Sequence, residues 1–294
     1  MSRPQFREQL TKCQIKTNSL VCVGLDPLVD KIPHCLERFL WNIASAVAKW
    51  MMRIVDATAP FASVYKLQHA HWEAIPGGVD ALVRVIAYIH GRYPHVLVFT
   101  DCKRGDIGRT QERYRIAHFD MEGADGMNVN QYMGESTVRS LVDEKHRERA
   151  IVGLGRTSNP EAWRIQDAEL KDGRKVWELF VEEFMYYAKR CGVLDNAGIV
   201  MGAAYRDLDN PAIIHAEHLV RATEITGNKL WKLIPGMGTQ GGCVKETVQA
   251  AYQGPGTIVP ASSSDVIFAS REDNYTQASG GKAETLRDLI NQYR

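Results

Sequence analysis

The feature that most constrains the fold of this chain is a series of short apolar segments that alternate with longer amphipathic ones. Most of the short segments are continuously apolar, which is typical of strands buried on both faces of a parallel sheet. About eight such segments occur, at residues 20–24, 62–66, 95–101, 126–130, 150–154, 198–202, 230–235 and 256–260.

Amphipathic patterns of helical period fill the gaps between these segments, at residues 36–55, 79–93, 109–121, 176–189, 211–225, 243–253 and 283–293. Strand and helix alternating about eight times within 294 residues predict an α/β fold, a (β/α)8 TIM barrel. We expect residues 1–294 to form this single domain, and a doubly wound open sheet is the alternative. The segment of residues 155–175 is longer and more polar than a usual βα connection, which indicates either a functional loop or a connecting segment without a function.

Composition excludes several classes of function. The 36 basic and 35 acidic residues leave a net charge of +1, so no overall field attracts nucleic acid or an anionic membrane. No apolar run is long enough to span a membrane, and the polar amino terminus does not resemble a secretory signal. We therefore expect a cytoplasmic protein that binds neither nucleic acid nor membrane.

The metal-binding residue types also lack the usual spacing. The six cysteines include no CxxC pair and no histidine at zinc spacing, so we expect reduced thiols that mostly pack. His69 and His71 are two residues apart but have no evident third ligand, which favours packing or surface roles. We therefore predict no metal site.

Charged residues stand where the predicted strands end. Asp26 ends the first strand, Lys66 ends the second, and Asp101, Lys103 and Asp106 follow the third. Because the carboxyl ends of barrel strands meet at one mouth, we expect the two lysines to lie beside the carboxylates there. Asp101 and Lys103 share a strand face, and opposite neighbours keep such lysines charged. A structural ion-pair cluster or a solvated turn is the alternative interpretation.

Two further segments have the composition of anion sites. Residues 235–242 form a glycine-rich turn before a helix, where backbone N–H groups can face a phosphate. The loops after strands seven and eight are common phosphate sites in barrels. The alternative is a tight turn that only requires positive φ. Three serines at residues 262–264 offer hydroxyl donors, or else a helix cap.

Seven short motifs, taken in chain order, point to a family. They are VCVGLDP (21–27), YKLQHAHWEA (65–74), DCKRGDIGRT (101–110), NVNQYMG (128–134), GRTSNP (155–160), GIVMGAAY (198–205) and IPGMGTQGG (234–242). In this ordered set the chain resembles the orotidine 5′-phosphate decarboxylase family, particularly its longer bacterial-type branch. The resemblance implies decarboxylation of orotidine 5′-monophosphate to uridine 5′-monophosphate in de novo pyrimidine biosynthesis. It also implies a homodimer, and no metal, flavin or pyridoxal cofactor.

The resemblance assigns roles to individual residues. Lys66, Asp101, Lys103 and Asp106 match the charged catalytic tetrad of the family, and Asp106 would reach into the partner subunit. Lys103 would stabilise the charge that develops on the ring and then donate the proton. The expected substrate contacts, from the resemblance and from the two anion segments, are Asp26, Ile107, Thr110, Thr157 or Ser158, Pro235, Gln240, Gly241, Ser263 and Ser264.

The pattern breaks after the eighth strand. Members of the family usually have an arginine at this place that binds the phosphate, whereas this chain has Ser264 followed by Asp265. A bidentate guanidinium–phosphate pair is thereby lost. Three interpretations are open: Arg156 or Arg271 replaces the missing group, phosphate binding is weak, or the position carries a natural or engineered loss.

Two other functions compete with the decarboxylase. The first is a related phosphate-binding barrel, a Mg²⁺-dependent sugar-phosphate decarboxylase or aldolase. Lys66 and the glycine-rich turn argue against it. The second is a non-catalytic, nucleotide-binding homologue, which only the missing arginine suggests.

Overall fold

The computed structural model describes residues 5–207, 209–238 and 243–294. Eight parallel strands close into a barrel in which each strand pairs with the next along the chain and the last pairs with the first. They are β1 (Cys22–Gly24), β2 (Val64–Gln68), β3 (Leu97–Arg104), β4 (Gly126–Val129), β5 (Ala150–Leu154), β6 (Gly198–Val200), β7 (Trp231–Pro235) and β8 (Ile258–Ser262). The predicted (β/α)8 barrel is confirmed.

Helices surround the barrel and connect its strands. They are α1 (Phe6–Thr17), α2 (His34–Glu37), α3 (Ile43–Thr58), α4 (His69–Glu73), α5 (Gly78–Arg92), α6 (Gly108–Arg115), α7 (Ser136–Arg139), α8 (Val176–Arg190), α9 (Glu217–Thr226), α10 (Val244–Ala251), α11 (Ser264–Ile267) and α12 (Tyr275–Asn291). A π-helical turn, Ile116–Met121, continues α6. In the described residues, none of the helices has both the length and the apolar character that crossing a bilayer requires.

Three predicted helices differ from the observed ones. The pattern at residues 36–55 is interrupted, because a 3₁₀ turn at Leu40–Asn42 separates α2 from α3. Asn42 then caps α3 by accepting the backbone N–H of Ser45 at 3.1 Å. The helix predicted from residue 211 begins only at Glu217, after a short antiparallel pair formed by Tyr205–Arg206 and Ile214–His215. The last helix begins at Tyr275 rather than at residue 283.

The amino-terminal end of the barrel is closed by packing. Phe6 of α1 stacks on Trp231 of β7 with ring centroids 5.3 Å apart, and Phe99 meets the same indole edge-on at 6.3 Å. A Cβ on Gly198 would lie 2.6 Å from the Trp231 ring, so β6 needs a glycine there. This apolar plug leaves the opposite mouth of the barrel as the place for polar side chains.

Candidate active site

The ends of the first three strands place a lysine between two carboxylates. Gly24 of β1 pairs with Lys66 of β2, and Gln68 of β2 pairs with Asp101 of β3. The Nζ of Lys66 lies 3.2 Å from Oδ2 of Asp26 and 3.3 Å from Oδ2 of Asp101. Lys66 and Asp101 are both buried. Asp26 is further fixed because it accepts the backbone N–H of Gln68 at 2.9 Å.

A second lysine extends the row toward solvent. The Nζ of Lys103 lies 2.6 Å from Oδ1 of Asp101, while its side chain keeps 45% of its surface exposed. The side chains of Asp101 and Lys103 therefore meet as predicted, although the register of β3 shifts between Thr100 and Arg104 and regular alternation is lost there. The four side chains Asp26, Lys66, Asp101 and Lys103, called here the charge row, alternate in sign and end in the accessible ammonium.

The two buried members of the charge row, Lys66 and Asp101, stay ionised because each has partners of opposite charge. Burial alone would lower the pKa of Lys66, but the carboxylates of Asp26 and Asp101 raise it above the ordinary lysine value. Burial alone would likewise raise the pKa of Asp101. Lys66, Lys103 and a hydrogen bond from Asn128 instead lower it to about 2. Lys66 and Asp101 thus provide fixed charges at neutral pH.

Asn128 of β4 organises the end of β3, and sequence reasoning missed this role. Its Oδ1 accepts the backbone N–H groups of Cys102 at 2.8 Å and of Lys103 at 2.6 Å. Its Nδ2 donates to Oδ1 of Asp101 at 2.6 Å. These bonds hold Lys103 at φ 45°, a left-handed conformation that is strained for a lysine. The sequence feature that could have indicated this role is a polar amide within an otherwise apolar strand.

A buried network anchors the residue that follows Lys103. The guanidinium of Arg104 donates to Nε2 of His118 at 3.1 Å and to Oε1 of Glu73 at 2.8 Å. Glu122 lies between His69 at 2.8 Å and His118 at 2.9 Å. Burial would raise the pKa of Glu122, but its hydrogen bonds to the two histidines lower it to about 2.

The spacing of His69, His118 and Glu122 raises the question of a metal site, because one potential ligand atom from each lies within 4.8 Å of the others. Arg104 can only donate, so Nε2 of His118 accepts and its Nδ1 carries the proton given to Glu122. A protonated Nδ1 has no lone pair for a metal ion. His69 is in turn held between Glu122 and Glu73. We therefore interpret these side chains as a hydrogen-bonded network.

Asp106 does not join the charge row of its own chain. It accepts the backbone N–H of Ile107 at 2.8 Å, and its own N–H donates to Gln111 at 3.1 Å. No ion pair within the described residues links it to Lys66 or Lys103. Ile107 is 50% exposed and Thr110 is also exposed, so this turn faces outward.

A cleft of about 210 Å³ opens beside the charge row. One end is formed by Asp26, Lys66 and Asp101. The other is lined by the ends of β7 and β8 with the residues that follow them: Pro235, Gly236, Met237, Gly238, Ala261, Ser262, Ser263, Ser264 and Asp265. The cleft thus contains the predicted contacts Asp26, Pro235, Ser263 and Ser264. Gln240 and Gly241 lie outside the described residues.

The loop after β5 lies away from this lining. The Thr157 hydroxyl donates to Asn159 at 2.6 Å and accepts from Gln166 at 2.7 Å, which ties it into its own loop. Ser158 is exposed and packs on Gly202, where an added Cβ would lie 3.1 Å from its Cα. Neither residue lines the cleft as it stands.

The two arginines proposed to replace the missing phosphate contact are bound elsewhere. Arg156 forms a bidentate pair with Asp167, with two N–O distances of 2.9 Å, and also donates to the Tyr205 hydroxyl. Arg271 donates to Glu37 at 3.2 Å and to a backbone carbonyl at 3.3 Å. Neither lines the cleft, so this structure brings neither candidate to the position of the missing arginine.

The fold is a (β/α)8 barrel, and the carboxyl-terminal ends of its strands carry a fixed row of alternating charges next to a cleft rich in glycine and serine. These two features define the class of protein as a (β/α)8-barrel enzyme. Comparison with known proteins then gives the family. The model of the orotidine 5′-phosphate decarboxylase / HUMPS family matches residues 19–273. A curated orotidine 5′-phosphate decarboxylase from Ralstonia nicotianae is 35% identical over 99% of both chains. The chain therefore belongs to this family, which confirms the resemblance found in the sequence.

Solved structures agree with this assignment. An orotidine-monophosphate-decarboxylase structure from Toxoplasma gondii superposes with a TM-score of 0.80 at 26% identity, covering 98% of each chain. An orotidine 5′-phosphate decarboxylase structure from Streptomyces avermitilis gives a TM-score of 0.76 at 25% identity, covering 100% of this chain and 97% of the other. The likeness thus extends over the whole barrel.

Proposed function

We propose that this protein decarboxylates orotidine 5′-monophosphate to uridine 5′-monophosphate in pyrimidine biosynthesis, without a cofactor. The observation that carries the proposal is the charge row, which ends in the accessible ammonium of Lys103, 2.6 Å from the carboxylate of the cleft residue Asp101. The family membership supports the substrate class.

The chemistry requires stabilisation of an unusual anion. When the bond from C6 to the carboxylate breaks, CO₂ leaves and the electron pair stays on C6. It lies in the plane of the ring, where no adjacent π system can spread the charge. A fixed ammonium stabilises this charge as it develops, and the Nζ of Lys103 then gives its proton to C6. Solvent returns a proton to the exposed Lys103 afterwards.

The other members of the charge row keep this ammonium in place. Asp101 holds Lys103 at 2.6 Å, and Lys66 holds Asp101 from the other side at 3.3 Å. Because these charges are positioned before the substrate binds, little reorganisation is needed during the reaction. The substrate carboxylate would lie near Asp101, which raises the free energy of the bound ground state relative to the product.

The remaining predicted contacts complete the site. The phosphate would lie toward Pro235, Ser263 and Ser264, because barrels commonly bind phosphate at the loops after strands seven and eight. Gln240 and Gly241 of the same turn would close over base and phosphate. Contact of Thr157 or Ser158 with the pyrimidine requires the loop after β5 to move toward the cleft on binding.

We include a homodimer in the proposal. Asp106 directly precedes the exposed Ile107 after β3, and the exposed Tyr132 and Met133 follow the neighbouring strand β4; these three side chains are 50%, 78% and 47% exposed. Exposed apolar side chains that follow two neighbouring strands suit an interface at which Asp106 and Thr110 reach the partner's site. A cytoplasmic location belongs to the same proposal.

The test is Lys103→Ala, assayed by loss of the orotate absorbance and by CO₂ release. We expect turnover to fall by at least about 100-fold, because both the charge and the proton donor are lost. Lys245→Ala removes an exposed lysine outside the cleft and serves as the matched control. Undiminished CO₂ release by Lys103→Ala would contradict the mechanism. Turnover abolished by a chelator would favour a Mg²⁺-dependent relative, and no turnover in the native chain would favour a binding protein.

A further inference from the structure

Five side chains around Arg104, the last residue of β3, form a closed circuit of contacts, called here the Arg104 network. The guanidinium of Arg104 donates to Nε2 of His118 at 3.1 Å and to Oε1 of Glu73 at 2.8 Å. Nδ1 of His118 lies 2.9 Å from the carboxylate of Glu122. His69 lies between Glu122 at 2.8 Å and Glu73 at 2.9 Å, which closes the circuit. The guanidinium is therefore held from two directions.

The Arg104 network acts on a strained backbone. Lys103 directly precedes Arg104 and has φ 45°, a conformation that persists only where the surrounding structure determines it. Pairing of β3 with β4 is interrupted after Thr100 and resumes at Arg104, whose carbonyl accepts the N–H of Asn130 at 2.8 Å. Asn128 holds the N–H of Lys103 before this point, and Arg104 closes the irregular segment after it.

The local fold around His118 is also unusual. His118 is buried and lies in the π-helical turn Ile116–Met121 that continues α6. Turns of this kind are rare and occur frequently at functional sites. Tyr114 of α6 adds a further contact, because its ring centroid lies 4.8 Å from Cζ of Arg104. The π-helical turn thus points independently to the same pair, His118 and Arg104.

We propose that Arg104 and His118 are positioning residues, which fix the left-handed backbone from which the ammonium of Lys103 reaches the bound substrate. This inference rests on the proposed function. Neither residue is among the described residues that line the cleft, so both act through Lys103. A reacting group displaced by about 1 Å can lose about 100-fold in rate.

Kinetics of the full-length protein test the role of His118. His118→Ala removes the acceptor of Arg104, so kcat for orotidine 5′-monophosphate should fall about 10- to 100-fold. The Kd of uridine 5′-monophosphate should change by less than about threefold, because the cleft lining is intact. His118→Gln offers an amide oxygen to the Arg104 N–H and should restore most of the lost kcat. His34→Ala, at an exposed histidine, is the matched control.

Arg104→Lys tests the other member of the pair. It keeps the positive charge but cannot reach His118 and Glu73 with a planar fork, so kcat should fall as in His118→Ala. Arg147→Lys, at an exposed arginine, is the control. Because Arg104 and Asn128 restrain the same backbone, the loss of kcat in Arg104→Lys/Asn128→Ala should be smaller than the product of the two single losses. Circular dichroism checks that each variant folds.

Crystal structures with uridine 5′-monophosphate provide a measurement that does not depend on turnover. In the native chain, Lys103 should keep its positive φ and its contact with Asp101. In His118→Ala and Arg104→Lys, φ of Lys103 should leave the left-handed region, and its Nζ should move by about 1 Å or more.

Several outcomes would overturn the inference. Native kcat in both His118→Ala and Arg104→Lys would do so, as would an unchanged Lys103 in their crystal structures. Equal losses in kcat and in nucleotide binding would indicate a general structural role. Absence of turnover in the native chain would contradict the proposed function, and the conformation of Lys103 in the crystal structures would then decide the positioning role alone.

Discussion

The side-chain amide of Asn128 lies 2.6 Å from the carboxylate of Asp101, and the oxygen of the same amide holds the backbone N–H of Lys103 at 2.6 Å. One buried side chain thus fixes the orientation of a carboxylate and the left-handed backbone of the neighbouring lysine. A side-chain amide can make all three bonds, because its nitrogen donates and its oxygen offers two acceptor positions. Asn128 is a positioning residue for the charge row.

Replacing Asn128 with alanine should lower kcat by up to roughly 100-fold, because a misplaced ammonium loses most of its effect on the transition state. The Kd of uridine 5′-monophosphate should change much less, since Asn128 does not line the cleft. Steady-state kinetics and equilibrium binding measure the two effects separately. The control is Asn274→Ala, at an exposed asparagine distant in sequence. Equal losses in kcat and binding would indicate a general structural role instead.

The strand pattern predicted the barrel well because strands buried on both faces occur in the sequence as short, continuously apolar segments. The predicted bounds of β5 agree with the observed Ala150–Leu154. The strand ends also predicted the meeting of Lys66, Asp101 and Lys103, because parallel strands in a barrel bring their carboxyl ends together.

Other features depend on tertiary contacts that a local pattern does not contain. Helix α1 is polar overall and owes its place to a few side chains, such as Phe6 and Leu10, that plug the barrel. The role of Asn128 follows from the unusual backbone of Lys103, which hydrophobic periodicity cannot reveal. The contact between Asp265 and Gly238 joins the ends of two strands and is visible only in three dimensions.

Glu122 should contribute stability that disappears in acid. Its pKa is lowered to about 2 in the folded chain, against an ordinary value of about 4.3. The stabilisation is therefore fully present above the ordinary value and is lost as pH falls toward 2. Glu122→Gln should cost about 1.5–3 kcal/mol at pH 7, because hydrogen bonds to a buried, charged acceptor are lost.

Urea unfolding between pH 3 and pH 7 checks this prediction, and the loss of stability in acid should be shallower in Glu122→Gln than in the native chain. Glu144→Gln, at an exposed position, provides the control and should follow the native curve. Parallel curves for the native chain and Glu122→Gln would show that the carboxylate is not coupled to the two histidines.

Lys232 of β7 should destabilise the fold at neutral pH. It is fully buried, and its Nζ has no hydrogen-bond partner among the described residues. Burial, with a smaller effect of Arg7, lowers its pKa to about 8. Between pH 8 and the ordinary lysine value the unfolded chain binds more protons, so stability attributable to this group rises with pH there.

Lys232→Met keeps the volume of the side chain and should raise the free energy of unfolding by roughly 1–3 kcal/mol at pH 7. The gain should shrink as pH rises from 8 to 10, where the native lysine is already neutral. Chemical denaturation at several pH values measures it, with the exposed Lys245→Met as the control. A lower stability in Lys232→Met would mean that the ammonium has a stabilising partner.

Restoring an arginine at position 264 should strengthen phosphate binding. Ser264 is exposed at the serine end of the cleft, and no arginine lines that cleft within the described residues. A hydrogen bond to a charged group is worth about 1.5–3 kcal/mol. We expect Ser264→Arg to raise kcat/KM for orotidine 5′-monophosphate at least tenfold, mainly through KM. Orotidine, which has no phosphate, should gain nothing.

The neighbouring carboxylate could capture the new guanidinium, so the double variant Ser264→Arg/Asp265→Ala should gain more than Ser264→Arg alone. Asp265→Ala alone measures how removal of the carboxylate changes kcat/KM, because this variant lacks the new guanidinium. It therefore separates that effect from the effect of the added positive charge. The four kcat/KM values, including the native one, form a double-mutant cycle. An unchanged or lower kcat/KM in both arginine variants would mean that other groups already hold the phosphate and that Ser264 lies outside its reach.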